Sequence, residues 1–182
     1  MPVAVVFETH STSEDNEAGF ATGWLGGRLS EAGRDQAARL GRRRRRDGIN
    51  VVFTSDLYRA VETAQIAFGT CDLPVLLDWR LRECNYGRMN GMPRTQLETE
   101  RSARLDDPFP GGESWRGAVQ RVALFLDELA EKRDGERVLV IGHVATRWAL
   151  DQRVSGRVLD DLLSEPFQWQ EGWEYRVHRR IV

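Results

Sequence analysis

Val5 to Asn16 reads V-V-F-E-T-H-S-T-S-E-D-N, an apolar run that stops on a histidine and opens into hydroxyl-bearing residues. Extended back to Val3, the apolar part is a continuous strand, Val3 to Phe7, of the kind covered on both faces in a parallel sheet. The chain has three histidines, and a second one repeats this setting: V-L-V-I-G-H runs from Val138 to His143, just before a helix-compatible segment. In an open α/β sheet the carboxyl ends of the strands share one crevice, so His10 and His143 can meet there across most of the chain length. Two imidazoles at strand ends in one crevice are the arrangement of an enzyme site.

Outward from these two strands, strand and helix signals alternate. Ser30 is placed to cap a helix reaching about Arg46, with Ala32, Ala37, Leu40 and Gly41 as its apolar stripe. Val51 to Phe53 is a short strand, and Thr54-Ser55-Asp56 offers caps for a helix from about Leu57 to Phe68. Pro74 to Leu77 suggests a third strand, followed by an irregular stretch from Trp79 to Pro93, a length at which loops are usually functional. Arg94 to Arg104 is helix-prone, the D-D-P-F-P-G-G run at Asp106 to Gly112 is a turn, and Ser114 caps a long helix to about Lys132. After the strand Val138 to Ile141 come helices at Ala145 to about Gln152 and near Val158 to Leu163, then a terminal strand at Gly172 to His178. The pattern predicts one α/β domain spanning residues 1–182, a three-layer α/β/α sandwich with a mainly parallel sheet.

At 182 residues the chain is long enough to bury a core without disulfides or metals. A formal net charge of −2 removes any bulk attraction to nucleic acid, so phosphate binding has to be local. Cys71 and Cys84 match no paired metal spacing, and Met1 leads into the first strand without a charged leader, so the expected compartment is the cytoplasm. No apolar run is long enough to span a bilayer. The Arg42 to Arg46 run lies at a helix C-terminus and points around most of the helix, which reads as solvated surface. Tryptophans 148, 169 and 173 are assigned to the core, with a wall for a flat substrate as the alternative.

Four side chains fall where strands or their following helices meet the same sheet edge: His10, Arg59, Glu83 and His143. A neutral imidazole can attack phosphorus and form a covalent phosphoryl intermediate. The arginine fork suits phosphate oxygens, and a protonated second imidazole adds charge beside it. A carboxylic acid whose pKa is raised by burial can donate a proton to the departing alkoxide and later take one from water.

At these residues the chain resembles the histidine phosphatase superfamily, also called phosphoglycerate mutase-like, over almost its full length. The family's opening motif, R-H-G-E-T-x-x-N, is T-H-S-T-S-E-D-N here, from Thr9 to Asn16. T-G-W-L-G-G-R-L-S-E-A-G at Thr22 to Gly33 and S-D-L-Y-R-A-V-E-T-A at Ser55 to Ala64 are similar to its next two blocks. L-R-E-C-N-Y-G-R-M-N-G at Leu81 to Gly91 looks like the acid-bearing loop, P-G-G-E-S at Pro110 to Ser114 is a family turn, and Gly142-His143 fits the distal histidine. The order and spacing of the blocks carry the match. The resemblance implies that His10 is phosphorylated, that Arg59 and His143 hold the phosphoryl oxygens, and that Glu83 is the acid. It further implies Asn16, Thr22, Gly23 and Tyr86 as substrate contacts.

Four positions depart from the family pattern. Thr9 stands where a phosphate-binding arginine is expected, Ser11 replaces a glycine, Thr12 a glutamate, and Val144 a residue that is usually small. Thr9 and Ser11 are therefore candidate substrate contacts in their own right. Arg28, Arg82 and Arg147 are candidate stand-ins for the missing cation, with Ser11, Thr12 and Ser13 as hydroxyl donors. The expected activity is metal-independent hydrolysis of a small phosphorylated metabolite, with no cofactor, no nucleic acid and no membrane as partner, and with oligomeric state open, a dimer included. Two alternatives stand beside it: a phosphoglycerate-type mutase, and a degenerate member that binds a phosphorylated ligand without turnover. The short segment from Arg94 to Pro110 favours hydrolysis over the mutase.

Overall fold

Val138 to Ile141 is apolar at every position, and the computed structural model, which describes residues 1–180, places it mid-sheet. This strand, β6 (Arg137–Gly142), has β1 (Val3–Thr9) on one side and β3 (Val51–Thr54) on the other, both parallel to it. Strand β4 (Val75–Leu77) adds in parallel outside β3, and β7 (Trp173–Val177) closes the other edge antiparallel to β1, giving the order β4-β3-β6-β1-β7. Strand β7 alternates buried Trp173, Tyr175 and Val177 with exposed Glu174 and Arg176, the pattern of an edge covered on one face.

Successive side chains leave a strand on opposite faces, and here each face has its own helices. Val5, Phe7, Val138 and Val140 pack with α5 (Trp115–Lys132) and α6 (Val144–Ser155); Val6, Val52, Leu139 and Ile141 pack with α2 (Glu31–Arg44) and α3 (Tyr58–Phe68). The result is the expected three-layer α/β/α sandwich with a mainly parallel sheet. Phe7 has no exposed surface, and burying such a side chain stabilises the fold by about 1.5–3 kcal/mol relative to leaving it in water. Helices α2 and α3 approach so closely that a Cβ at Gly41 would lie 2.4 Å from the Ala67 carbonyl oxygen, which reserves that position for glycine.

Several local readings change. The stretch Trp79 to Pro93 holds two 3-10 turns, Trp79–Leu81 and Gly87–Met89, and ends in β5 (Met92–Pro93), which pairs antiparallel with β2 (Phe20–Ala21). These strands are two residues each, too short for a periodic signal. A single helical turn, α1 (Glu14–Glu17), follows Ser13, whose hydroxyl accepts from the Asn16 amide. The Arg94 to Arg104 segment is helical as α4 (Arg94–Glu100) and then tightens to a 3-10 turn at Ser102–Arg104. A last short helix, α7 (Leu159–Ser164), precedes the loop into β7. The Arg42 to Arg46 run is only partly solvated surface: Arg43 and Arg44 both reach Glu8, which is 3 % exposed, and Arg45 Nε donates to the Ala67 carbonyl. A buried carboxylate needs such partners, and only the folded chain brings Glu8 to them.

The topology fixes the position of the site. Thr9 pairs with Gly142 and Thr54 with Ile141, so β1, β6 and β3 end at one level. The His10 amide donates to the Gly142 carbonyl at 3.0 Å, and His143 follows immediately as the residue before α6. No helix among the described residues is long and apolar enough to cross a membrane.

Candidate active site

The two imidazoles meet, with ring centroids 4.9 Å apart. His10 Nδ1 lies 2.7 Å from the Ser11 carbonyl oxygen, an acceptor only, so Nδ1 carries the proton. Nε2 then holds the lone pair and accepts a long 3.3 Å bond from Arg59 Nε. Burial and the adjacent Arg59 charge hold the His10 pKa at about 3, so the ring is neutral at any ordinary pH. His143 Nδ1 sits 3.4 Å from Arg59 Nη2, which leaves Nε2 as the protonated nitrogen, buried and without a partner among the described residues. Burial, Arg59 and His10 push its pKa well below the ordinary histidine value. The expected protonated second imidazole is thus corrected: in this site His143 offers a neutral N–H donor, because a second cation beside Arg59 in a desolvated pocket is unfavourable.

Arg59 stands in the first turn of α3 and is 2 % exposed. Its guanidinium is held from behind by the carbonyls of Gly23 at 2.8 Å and Leu25 at 3.2 Å. Gly23 has φ +57°, and a Cβ there would fall 2.0 Å from Asn90 Oδ1, so only glycine brings that carbonyl to Arg59. A relay joins the helix to the nucleophile loop: the Ser11 amide donates to Thr63 Oγ1, whose hydroxyl donates to the Arg59 carbonyl.

Glu83 arrives on the loop after the Trp79–Leu81 turn. Its carboxyl accepts from the amides of Cys84 at 2.9 Å, Ala145 at 3.3 Å and Val144 at 3.4 Å, the last two belonging to the first turn of α6. These bonds and Arg59 favour the ionised form, but burial opposes them more strongly, and the pKa lies above the ordinary glutamate value. Two residues that sequence reasoning missed hold this loop. Arg121 of α5, 7 % exposed, donates to the carbonyls of Arg80, Arg82 and Glu83 and pairs with both oxygens of Glu113. Asn90 Oδ1 accepts from the amides of Trp24 and Tyr86, clamping the acid loop to the segment around Gly23. Neither carries a sequence signal, since an arginine in an amphipathic helix and an asparagine in a loop are ordinary.

The site opens into a cleft of about 1120 Å³. His10, Arg59, Glu83 and His143 line it, as do Thr9, Asn16, Thr22, Gly23 and Tyr86. Ser11 does not; it is buried, and its main chain positions the His10 ring instead. Asn16 also caps α1 through its side chain, and Thr22 donates to Asp15 Oδ2 at 2.9 Å. None of the three candidate stand-in arginines lines this cleft. Arg82 is committed to both oxygens of Asp56 at 2.6 Å, Arg147 lies over the Trp173 ring at 4.4 Å, and Arg28 is exposed elsewhere. Besides Arg59, the arginines that do line it are Arg94 and Arg101, from the α4 region, and Trp169 lines it too instead of entering the core, whereas Trp148 and Trp173 are buried. Among the described residues no group of three or more His, Cys, Asp or Glu side chains is placed to hold a metal ion.

Known proteins of similar sequence and fold share most of the length of this architecture. A 2,3-bisphosphoglycerate-dependent phosphoglycerate mutase of Methylobacterium sp. (strain 4-46) is 35% identical over 185 residues, covering 93% of this chain and 86% of its own. Bacillus stearothermophilus YhfR has a similar structure, with a TM-score of 0.81 at 26% identity over 93% of this chain and 88% of its own. A mycobacterial glucosyl-3-phosphoglycerate phosphatase superposes with a TM-score of 0.77 at 25% identity, over 89% of this chain and 86% of its own. The α-ribazole phosphatase of Shigella flexneri shares the fold, with a TM-score of 0.76 at 23% identity over 88% and 83% of the two chains. Residues 6–168 match the histidine phosphatase superfamily (branch 1), and the chain belongs to that family.

Proposed function

We propose that this protein is a phosphatase that hydrolyses a phosphomonoester of a small metabolite through a phosphohistidine at His10, without a metal ion. The observation that carries the reading is the tautomer of His10. The Ser11 carbonyl occupies Nδ1–H, and the Nε2 lone pair faces a cleft lined by Arg59, His143 and Glu83.

In the first step Nε2 attacks phosphorus and the P–O bond to the alcohol breaks. The ring becomes cationic, and the Ser11 carbonyl at Nδ1–H stabilises that charge. Arg59 and the free Nε2–H of His143 donate to the phosphoryl oxygens as charge moves onto them. Glu83, whose proton affinity burial raises, gives its proton to the departing alkoxide. In the second step Glu83 takes a proton from water, the water oxygen attacks phosphorus, and the P–N bond breaks, releasing phosphate and the neutral ring.

The names of the relatives divide between phosphoglycerate mutases and phosphatases. A mutase would return the phosphoryl group to a second substrate hydroxyl rather than to water, and the sequence identity to mutases is what favours that reading. The short segment between the acid loop and α5 favours hydrolysis. Incubation with p-nitrophenyl phosphate and with 3-phosphoglycerate separates the two. Hydrolysis predicts stoichiometric inorganic phosphate without a bisphosphate primer, and a phosphorylated His10 in mass spectra of alkali-quenched turnover mixtures. Primer-dependent isomerisation without phosphate release would establish the mutase, and ligand binding with neither reaction would establish a non-catalytic member.

A further inference from the structure

The outer walls of the cleft carry a feature that the phosphoryl chemistry does not use. Phe20 of β2, and Phe167 and Trp169 of the loop after α7, are 43%, 41% and 59% exposed, and all three line the cleft. The other exposed aromatics among the described residues, Tyr58 and Trp79, do not line it. Exposed aromatic surface gathered at the mouth of a polar site is the pattern of a ligand contact, because the rings gain most when a flat apolar partner displaces their water. Phe167 is pre-oriented by contact with Trp173 at a centroid distance of 6.1 Å and by Arg147 at 5.7 Å from its ring.

The position of the acid says which part of the substrate lies there. Glu83 protonates the leaving oxygen, so the alcohol extends past Glu83, and Val144, whose amide donates to Glu83, lines the cleft beside it. Formal charge on the same walls has no positive excess: Arg94 and Arg101 are offset by Glu17, Glu98 and Glu165. An acyclic, anionic alcohol such as glycerate, the leaving group of a phosphoglycerate, would need a cationic excess at this place.

We infer that the leaving alcohol is uncharged and carries a planar ring, which stacks on Phe20, Phe167 and Trp169 while its phosphoryl group lies on His10. This assignment rests on the hydrolase reading and deepens it by naming the class of substrate, a phosphomonoester of a ring-bearing alcohol such as a nucleoside.

Adenosine 5′-monophosphate and ribose 5-phosphate test it, because both lose phosphate from the same primary alcohol and differ chiefly in the ring. The expected result is a kcat/KM about tenfold higher for the nucleotide, and a loss on Trp169→Ala or Phe20→Ala that is about three- to tenfold larger for the nucleotide than for the sugar phosphate. Both positions are exposed, and circular dichroism melting checks that the variants fold. Equal kcat/KM for the pair, or equal losses on both, overturns the inference while phosphate release keeps the hydrolase reading. Where neither compound is cleaved, phosphate release from p-nitrophenyl phosphate decides the hydrolase reading separately, and calorimetric titration of the full chain decides the ring site. Tighter binding of the nucleotide that weakens in Trp169→Ala supports it, and equal or absent binding overturns it.

Discussion

At the floor of the cleft the Arg59 guanidinium has four hydrogen-bonding neighbours, His10, His143, Gly23 and Leu25, while at its rim Trp169 is 59% exposed and Phe20 43% exposed. The floor draws its residues from the ends of β1 and β6, the first turn of α3 and the loop before β5, with Arg59 held by the carbonyls of Gly23 and Leu25 and Glu83 by the first-turn amides of α6. The rim comes from a two-residue strand, α4 with the turn after it, and the loop before β7. Reacting atoms need placement to fractions of an ångström, which only interlocked elements provide; leaving-group contacts tolerate loose segments. In this cleft the proposed chemistry and the proposed selectivity therefore rest on separate segments of the chain.

The largest effect that tests the contrast is expected at the nucleophile: His10→Ala should lower kcat on every phosphomonoester by about 10⁴-fold or more, since no other lone pair is presented to phosphorus. A residual rate within tenfold of the parent would move the chemistry to another group. Glu83→Gln comes next, with a loss of about 10²–10⁴-fold on alkyl phosphates and a much smaller one on p-nitrophenyl phosphate, whose leaving group departs without a proton. Its pH dependence has a definite sign. The raised Glu83 pKa keeps the acid form present above the ordinary glutamate range, and activity is lost as pH rises through that raised value; Glu83→Gln should abolish this alkaline limb. His10, held at about 3, should give kcat/KM no acid limb near 6.5 once substrate ionisation is taken into account.

Arg121 does not line the cleft, yet it ties the floor together. Arg121→Met leaves Glu113 without its paired cation and frees the loop carbonyls of Trp79, Arg80, Arg82 and Glu83, and should cost about 3–5 kcal/mol in denaturant unfolding. A cost no greater than that of Trp169→Ala would erase the distinction between floor and rim. The smallest effect is expected from Thr9→Arg. Thr9 lines the cleft without a charge, and an arginine there should raise kcat/KM on p-nitrophenyl phosphate about tenfold, in line with one added charged hydrogen bond. A decrease would mean that the space at position 9 belongs to the substrate.

Much of the fold was legible because its signals are local. Apolar strands ending in His10 and His143, the caps at Ser30 and Ser114, and the turn at Asp106 to Gly112 follow from near-neighbour sterics and burial, which a one-dimensional pattern records. The ribbon of β2 and β5 was not, since two residues define no period, and neither was the antiparallel direction of β7, which depends on the route of the preceding loop. In the site, the catalytic and substrate-contact candidates read from the sequence line the cleft except Ser11, whose replacement of a flexible glycine suggested a hydroxyl contact that burial denies, whereas Arg94, Arg101 and the rim aromatics carried no such signal.

By itself the sequence determined the alternation of strands and helices, the two histidines at strand ends, and the family to which those blocks belong. Tertiary structure alone decided that Arg82 serves Asp56 instead of phosphate, that Arg121 gathers the acid loop, that His143 stays neutral, and that Trp169 faces the cleft. The physical reason is distance along the chain. Local patterns report what each segment prefers, whereas the partner of a charged or aromatic side chain, and hence its protonation and use, is set by which remote segment folding places beside it.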